Sequence, residues 1–238
     1  MHLFEAIVVL HVIAGTVGLV SFWVPIASRK GGAHHRKWGV IACRTFMAAG
    51  ALAIAMALLS LYGPDVRLPM ITDRILFRGL FGWMMLYLGM LTIGFAHYGL
   101  AVVKNRMSRV ALRGWQHQLV FAAVIALAIN CGFYGLTTGQ PLMALVALIG
   151  VIAVATQLRY IWRREAAVGS HVPEHFRSLL GMGISAYTAF LSVGMIRLVP
   201  DHVFNPLVWA VPSIVGVGLI VRFTVREKTQ AKAVVQRG

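Results

Sequence analysis

His34-His35-Arg36-Lys37-Trp38-Gly39 is a basic, histidine-bearing turn that lies between two long apolar runs. The same plan recurs at Arg113-Gly-Trp-Gln-His117 and at His171-Val-Pro-Glu-His175-Phe-Arg177, each time at the foot of an apolar segment. If these turns lie on one side of a membrane, three helices begin with a histidine at a similar depth. This cluster is the main chemistry that the sequence predicts.

The composition of the chain is that of a membrane protein. Of its 238 residues, 59% are hydrophobic and 12% are charged, and a soluble domain of this size needs more polar surface. A helix that crosses the hydrocarbon core needs about 20 apolar residues. The segments that meet this requirement are Leu3–Ser28, Gly39–Tyr62, Phe77–Val103, Trp115–Leu136, Leu142–Trp162, Phe176–Val199 and Pro206–Thr224.

No connection between these segments is long enough to hold a separate domain. We therefore expect an all-α bundle of seven transmembrane helices, forming one domain over residues 1–224, followed by a basic cytoplasmic tail over residues 225–238. Connections one, three and five carry many Lys and Arg residues, whereas connections four and six carry none. The positive-inside rule then predicts an outside N-terminus and a cytoplasmic C-terminus.

The formal net charge of +15 follows from this topology. Basic residues beside a membrane are attracted to anionic lipid, so we expect a lipid surface as the partner and no nucleic acid.

Four residues are unusually polar for membrane spans. Glu5 and His11 lie on the first helix, Arg44 on the second and Arg197 near the outer end of the sixth. Ionisable residues within a span usually face the bundle interior. The simpler interpretations are that a neutral His11 donates one hydrogen bond to a neighbouring helix and that Arg44 extends to the cytoplasmic interface.

The stretches Leu10-His11-Val-Ile-Ala-Gly15, His35-Arg36-Lys-Trp-Gly39 and His175-Phe-Arg177 resemble an uncharacterised bacterial family of multi-helix membrane proteins with a His-Arg motif. The resemblance covers the first quarter of the chain and the sixth helix, and it departs after His175, where the family tends to have Trp-Met. It implies the helical topology and a bacterial inner membrane, and it supplies no reaction.

His97 and His117, on consecutive antiparallel helices, are similar in arrangement to the haem ligands of b561-type cytochromes. This resemblance implies one haem b near the cytoplasmic face, with Gly94 and Gly99 giving clearance. Its propionates would meet basic residues, among them Arg44 and Arg113. A second haem on the outer side has only His11 and His202 available as ligands.

Three classes of function remain open. The first is a redox protein that holds one b-type haem and exchanges electrons with a quinone or a partner subunit. The second is a cofactor-free transporter or accessory subunit, in which Glu5, His11 and Arg197 line a polar path and Pro212 interrupts the seventh helix. The third is a metal-dependent enzyme with His35, His117 and His175 as ligands of a Zn²⁺-like ion. We place haem redox first.

Overall fold

The computed structural model describes residues 2–63, 73–164, 169–195 and 205–235. These residues form helices and no strands, as the sequence predicts. The long helices are α1 (His2–Ala27), α2 (Ala33–Tyr62), α3 (Arg74–Lys104), α4 (Trp115–Thr137), α5 (Pro141–Trp162), α6 (His171–Ala189) and α7 (Pro206–Val235). A π-helical turn, Arg78–Met84, lies within α3, and another, Phe190–Gly194, extends α6. A short 3₁₀ helix, Arg109–Arg113, precedes α4.

Each predicted span corresponds to a helix, but several helix ends differ from the prediction. α2 begins at Ala33 rather than Gly39, and α6 begins at His171 rather than Phe176. The histidines His35 and His175 therefore lie in the opening turns of helices, where the backbone fixes their direction. Part of the expected tail also belongs to a helix, because α7 continues as far as Val235.

The expected interruption of the seventh helix at Pro212 is wrong. Pro212 lies inside the continuous helix α7. A helix in a membrane bundle tolerates proline because neighbouring groups satisfy the backbone carbonyl that the proline leaves without a donor. The sequence feature that favoured a transporter is therefore not a break in the structure.

Six helices of the described chain are long and apolar enough to cross a membrane: α1 to α5 and the part of α7 from Leu207 to Glu227. Large apolar side chains cover their outer surfaces, and Leu3, Phe133 and Leu207 are each about 70% exposed. Such surfaces are stable against lipid rather than water. These features support a multi-pass membrane protein, whereas α6 carries more polar residues and packs inside the bundle.

α3 is the central helix of the bundle. It packs against α2, α4 and α6, and Tyr87 and Tyr98 are almost completely buried along it. Gly89 of α3 meets Gly50 of α2 so closely that a Cβ added to Gly50 would lie 2.9 Å from the Gly89 carbonyl oxygen. Small residues permit this approach of two backbones. Alanines recur at every fourth position of α2, a spacing that predicts a packing face, and all three are buried: Ala49, Ala53 and Ala57.

Buried hydroxyl groups connect α6 to α3. Ser178 donates a hydrogen bond to the Phe95 carbonyl at 2.7 Å, and Ser185 Oγ lies 2.8 Å from Thr92 Oγ1. A hydroxyl buried in a bundle is stable when it has such a partner. These contacts fix α6 along α3 and bring the first turns of α6 beside the end of α3 that carries His97 and Gly99.

Candidate histidine site at the basic end of the bundle

His97 and His117 are brought together, as the sequence predicts. His97 lies near the end of α3 and His117 in the first turn of α4, and His97 Nε2 is 2.8 Å from His117 Nδ1. The ring centroids are 4.8 Å apart. One imidazole donates this hydrogen bond and the other accepts it, so at least one of the two rings is neutral.

The spacing of the His97–His117 pair is shorter than two ligands of one metal require. Imidazole nitrogens bind a metal at about 2.0–2.1 Å, so two of them on opposite sides of one ion lie ~4 Å apart. The glycines expected to give clearance are packed against neighbours instead. A Cβ on Gly94 would lie 3.1 Å from a Val124 methyl group, and one on Gly99 would lie 2.6 Å from a Leu179 methyl group. In this arrangement of α3 and α4, the two rings leave no space for a haem between His97 and His117.

A second pair, His35 and His175, has a different geometry. His35 Nδ1 donates to the Pro25 carbonyl at 3.0 Å, and His175 Nδ1 donates to the Gly99 carbonyl at 2.8 Å. The two ring centroids are 6.4 Å apart, with 64° between the ring planes. Because each Nδ1 carries the proton, a neutral ring presents its Nε2 lone pair as an acceptor or a metal ligand.

The expected metal ligands His35, His117 and His175 do not form one group. His117 is hydrogen-bonded to His97, on the α4 side of α3, whereas His175 binds the Gly99 carbonyl and faces His35. In the part of the chain that the structure describes, no three His, Cys, Asp or Glu side chains converge in a way that would hold a metal ion.

A largely buried carboxylate, Glu174, contacts the tyrosine that follows His97 on α3. Tyr98 follows His97 on α3, and its hydroxyl donates to Glu174 Oε2 at 3.3 Å. Arg177 Nη1 lies 3.6 Å from Glu174 Oε1, and the Glu174 side chain is only 12% exposed. Sequence analysis did not identify Tyr98. In the sequence, Tyr98 is distinguished only by its position next to His97. Because neighbouring residues on a helix point in different directions, that position does not predict a contact with Glu174.

The arginines expected to meet haem propionates have different surroundings. Arg113 donates from Nε and Nη2 to the Ile161 carbonyl at 3.4 and 3.3 Å, and its guanidinium lies 4.8 Å from the centroid of the Trp162 ring. This residue therefore secures the end of α5 beside the start of α4. Arg44 is exposed on α2, in keeping with an interfacial or lipid-facing position.

The polar residues considered for a transport path are not brought together where they are described. His11 Nδ1 donates to the Ala49 carbonyl of α2 at 2.9 Å, which is the simpler of the two interpretations. Glu5 is exposed on α1. Arg197 and His202 lie outside the described residues. Cys43 and Cys131 are both free and buried.

Comparison with protein-family models, with curated proteins and with solved structures gives no match to this chain. Both resemblances drawn from the sequence therefore remain expectations. The inference about function depends on the geometry of the histidines.

Proposed function

We propose that this chain is a multi-pass protein of the bacterial inner membrane that binds one metal centre through His35 and His175 and uses it in electron transfer. The observation that supports the proposal is the orientation of this pair. Both Nδ1 atoms donate to backbone carbonyls, at 3.0 and 2.8 Å, and the two rings lie edge to face with centroids 6.4 Å apart.

This orientation is typical of histidines that bind metals. A ligating histidine almost always donates its second ring N–H to a carbonyl or carboxylate, which fixes the tautomer and the direction of the ring. Pro25 and Gly99 supply those carbonyls here. Two nitrogens on opposite sides of one metal lie ~4 Å apart, and the centroids of these two rings are 6.4 Å apart.

A b-type haem is the form of this centre that we propose. Two neutral imidazoles on opposite sides of an iron are a known haem ligand set, and cationic side chains pair with propionates. Arg36 and Lys37 are exposed beside His35, and Arg177 lies beside His175 on α6. A bound haem would supply one-electron chemistry, with a quinone or a partner subunit as the source or acceptor. A single Zn²⁺-like ion on the same pair is the alternative.

The proposed orientation places this end of the bundle in the cytoplasm. The ends that meet there are those of α1 and α2, of α3 and α4, and of α5 and α6, whose connections carry most of the Lys and Arg residues that lie between long helices. The positive-inside rule supports the assignment.

The decisive experiment is a visible spectrum of the detergent-purified full chain, oxidised and then reduced with dithionite, with the metal content measured on the same sample. We expect a Soret band that shifts on reduction, at about one haem per chain. If protein from haem-replete cells is colourless but holds one metal ion per chain, the centre is a single ion and not a haem. Protein that holds neither would refute the metal centre.

The ligand assignment is tested by His35→Asn and His175→Asn. The asparagine amide nitrogen lies near the position of Nδ1 and can still donate to the Pro25 or Gly99 carbonyl, so the helices keep their contacts while the metal ligand Nε2 is removed. We expect each variant to lose the centre, whereas His34→Asn, at an exposed neighbouring position, retains it. Loss of the centre in His97→Gln and His117→Gln, with normal content in the other two variants, would return the ligand role to the His97–His117 pair.

A further inference from the structure

A cavity of about 170 Å³ lies between α1, α6 and α7. Its wall is formed largely by apolar and aromatic residues, including Phe22, Leu180, Ile184 and Leu219. The Tyr187 hydroxyl also lines it, but this group already donates to the Leu19 carbonyl at 2.8 Å and accepts from Trp23 Nε1 at 2.6 Å. The wall therefore offers contact to hydrocarbon rather than to a polar ligand.

The cavity lies on the lipid-facing side of the bundle. Trp23, Val211 and Val215 line it, and these side chains are 43%, 47% and 47% exposed. In a membrane those exposed surfaces meet lipid rather than water. A chain that enters the cavity from the side comes from the hydrocarbon phase.

The face of α7 that lines the cavity continues to a cation. Val215, Leu219, Phe223 and Arg226 follow one another at spacings of four, four and three residues, which places them on one side of the helix. Lys30, in the connection after α1, holds its ammonium 4.8 Å from the centroid of the Phe223 ring. The wall that begins as an apolar surface therefore ends at Lys30 and Arg226.

Lys30 and Arg226 lie at the same end of this surface, because Lys30 covers the ring of Phe223, three residues before Arg226 on α7. Lys30 Nζ donates to the Pro25 and Ile26 carbonyls at 2.9 and 2.7 Å, which holds it at the end of α1. Partial burial lowers the pKa of Lys30, and the charge of Arg226 lowers it further. An anion between the two side chains would relieve this repulsion.

We propose that this surface binds one anionic phospholipid, with an acyl chain in the cavity and the phosphate between Lys30 and Arg226. The apolar wall and the pair of cations lie in the order in which a phospholipid presents its chain and its headgroup. Polybasic surfaces beside a membrane attract anionic lipid in general; the cavity adds a specific site. The Pro25 carbonyl accepts from both Lys30 and His35, so the lipid site adjoins the histidine site. The lipid proposal does not depend on a metal.

Native mass spectrometry of the detergent-purified full chain tests the site. The protein is titrated with phosphatidylglycerol and with phosphatidylcholine that carry the same acyl chains. We expect tighter binding of phosphatidylglycerol, and a loss of about fivefold in its affinity for each of Lys30→Gln and Arg226→Gln. Arg106→Gln removes an exposed arginine from the connection between α3 and α4, away from α7, and should leave the affinity unchanged.

The cavity is tested separately by Val215→Trp, which fills it. We expect this variant to lose binding of both lipids, whereas Val217→Trp, an exposed valine on the opposite side of α7, binds as the unchanged protein does. The melting temperature of each variant confirms that it is folded.

Three results would overturn the proposal. The first is equal binding of the two lipids by the unchanged protein, and the second is normal binding by folded Val215→Trp. The third is displacement of phosphatidylglycerol by inorganic phosphate alone, which would identify a free-anion site.

Discussion

His97 Nε2 lies 2.8 Å from His117 Nδ1, and this hydrogen bond joins the end of α3 to the start of α4. The two helices are connected by a short basic segment that contains the 3₁₀ helix Arg109–Arg113. The bond between the imidazoles thus closes a helical hairpin at the basic end of the bundle.

We expect His97→Ala and His117→Ala each to lower the free energy of unfolding by about 1–3 kcal/mol, because each leaves a half-buried imidazole without its partner. The double variant should lose less than the sum of the two single losses, since the interaction can be lost only once. Reversible unfolding of all four proteins in mixed micelles measures this coupling. Additive losses would show that the two rings do not interact in the folded protein.

The close crossing of α2 and α3 predicts that a larger side chain at Gly50 destabilises the protein. A Cβ at this position would lie 2.9 Å from the Gly89 carbonyl oxygen and 3.0 Å from Ile93 Cγ1. We expect Gly50→Val to destabilise the protein by about 1–3 kcal/mol or more through overpacking. Gly15→Val is the matched control, because nothing lies within 4 Å of a Cβ there. Equal melting temperatures for the two variants would contradict the close crossing.

The contact between Tyr98 and Glu174 predicts a specific loss in Tyr98→Phe. The phenyl ring keeps the packing of a residue that is 1% exposed, while the hydroxyl that donates to Glu174 at 3.3 Å is removed. We expect a loss of about 1–3 kcal/mol, because the carboxylate is left with one partner fewer. Tyr62→Phe, at a 70% exposed position, should have little effect on the unfolding free energy. An unchanged free energy of unfolding in Tyr98→Phe would mean that the tyrosine hydroxyl does not stabilise Glu174.

The proposed orientation predicts which connections a membrane-impermeant maleimide reaches in intact cells. Ser108 lies in the basic connection between α3 and α4, and Thr137 lies at the opposite end of α4; both are exposed. We expect Thr137→Cys to be labelled from outside and Ser108→Cys only after the membrane is opened. The buried Cys43 and Cys131 should contribute little background. Labelling of Ser108→Cys in intact cells would show that the chain has the opposite orientation in the membrane.

Much of the fold follows from local sequence. Apolar runs of sufficient length predict the helices because a backbone in lipid must satisfy its own hydrogen bonds, and a helix does this within one segment. The four-residue spacing of Ala49, Ala53 and Ala57 in α2 indicates a packing face for a similarly local reason. Helix ends were less well determined, because the first turns of α2 and α6 are polar and give no apolar signal before Gly39 and Phe176.

The pairing of histidines was only partly predictable. Consecutive helices joined by a short connection must be neighbours, so His97 and His117 could be placed together from sequence. His35 and His175 lie far apart in the chain and meet only because α2 and α6 both lie beside α3. Their partners are the backbone carbonyls of Pro25 and Gly99. Every residue has a backbone carbonyl, so the sequence does not show which carbonyls accept hydrogen bonds from these histidines.

The sequence by itself therefore determined the class of the protein, the number of long helices and the end of the bundle at which the histidines gather, because these depend on local hydrophobicity and charge. Tertiary structure decided which histidines lie close together and which ring nitrogens donate to backbone carbonyls. It also decided that the glycines of α3 serve close packing. Those features depend on distances between helices, which the order of residues along one helix does not contain.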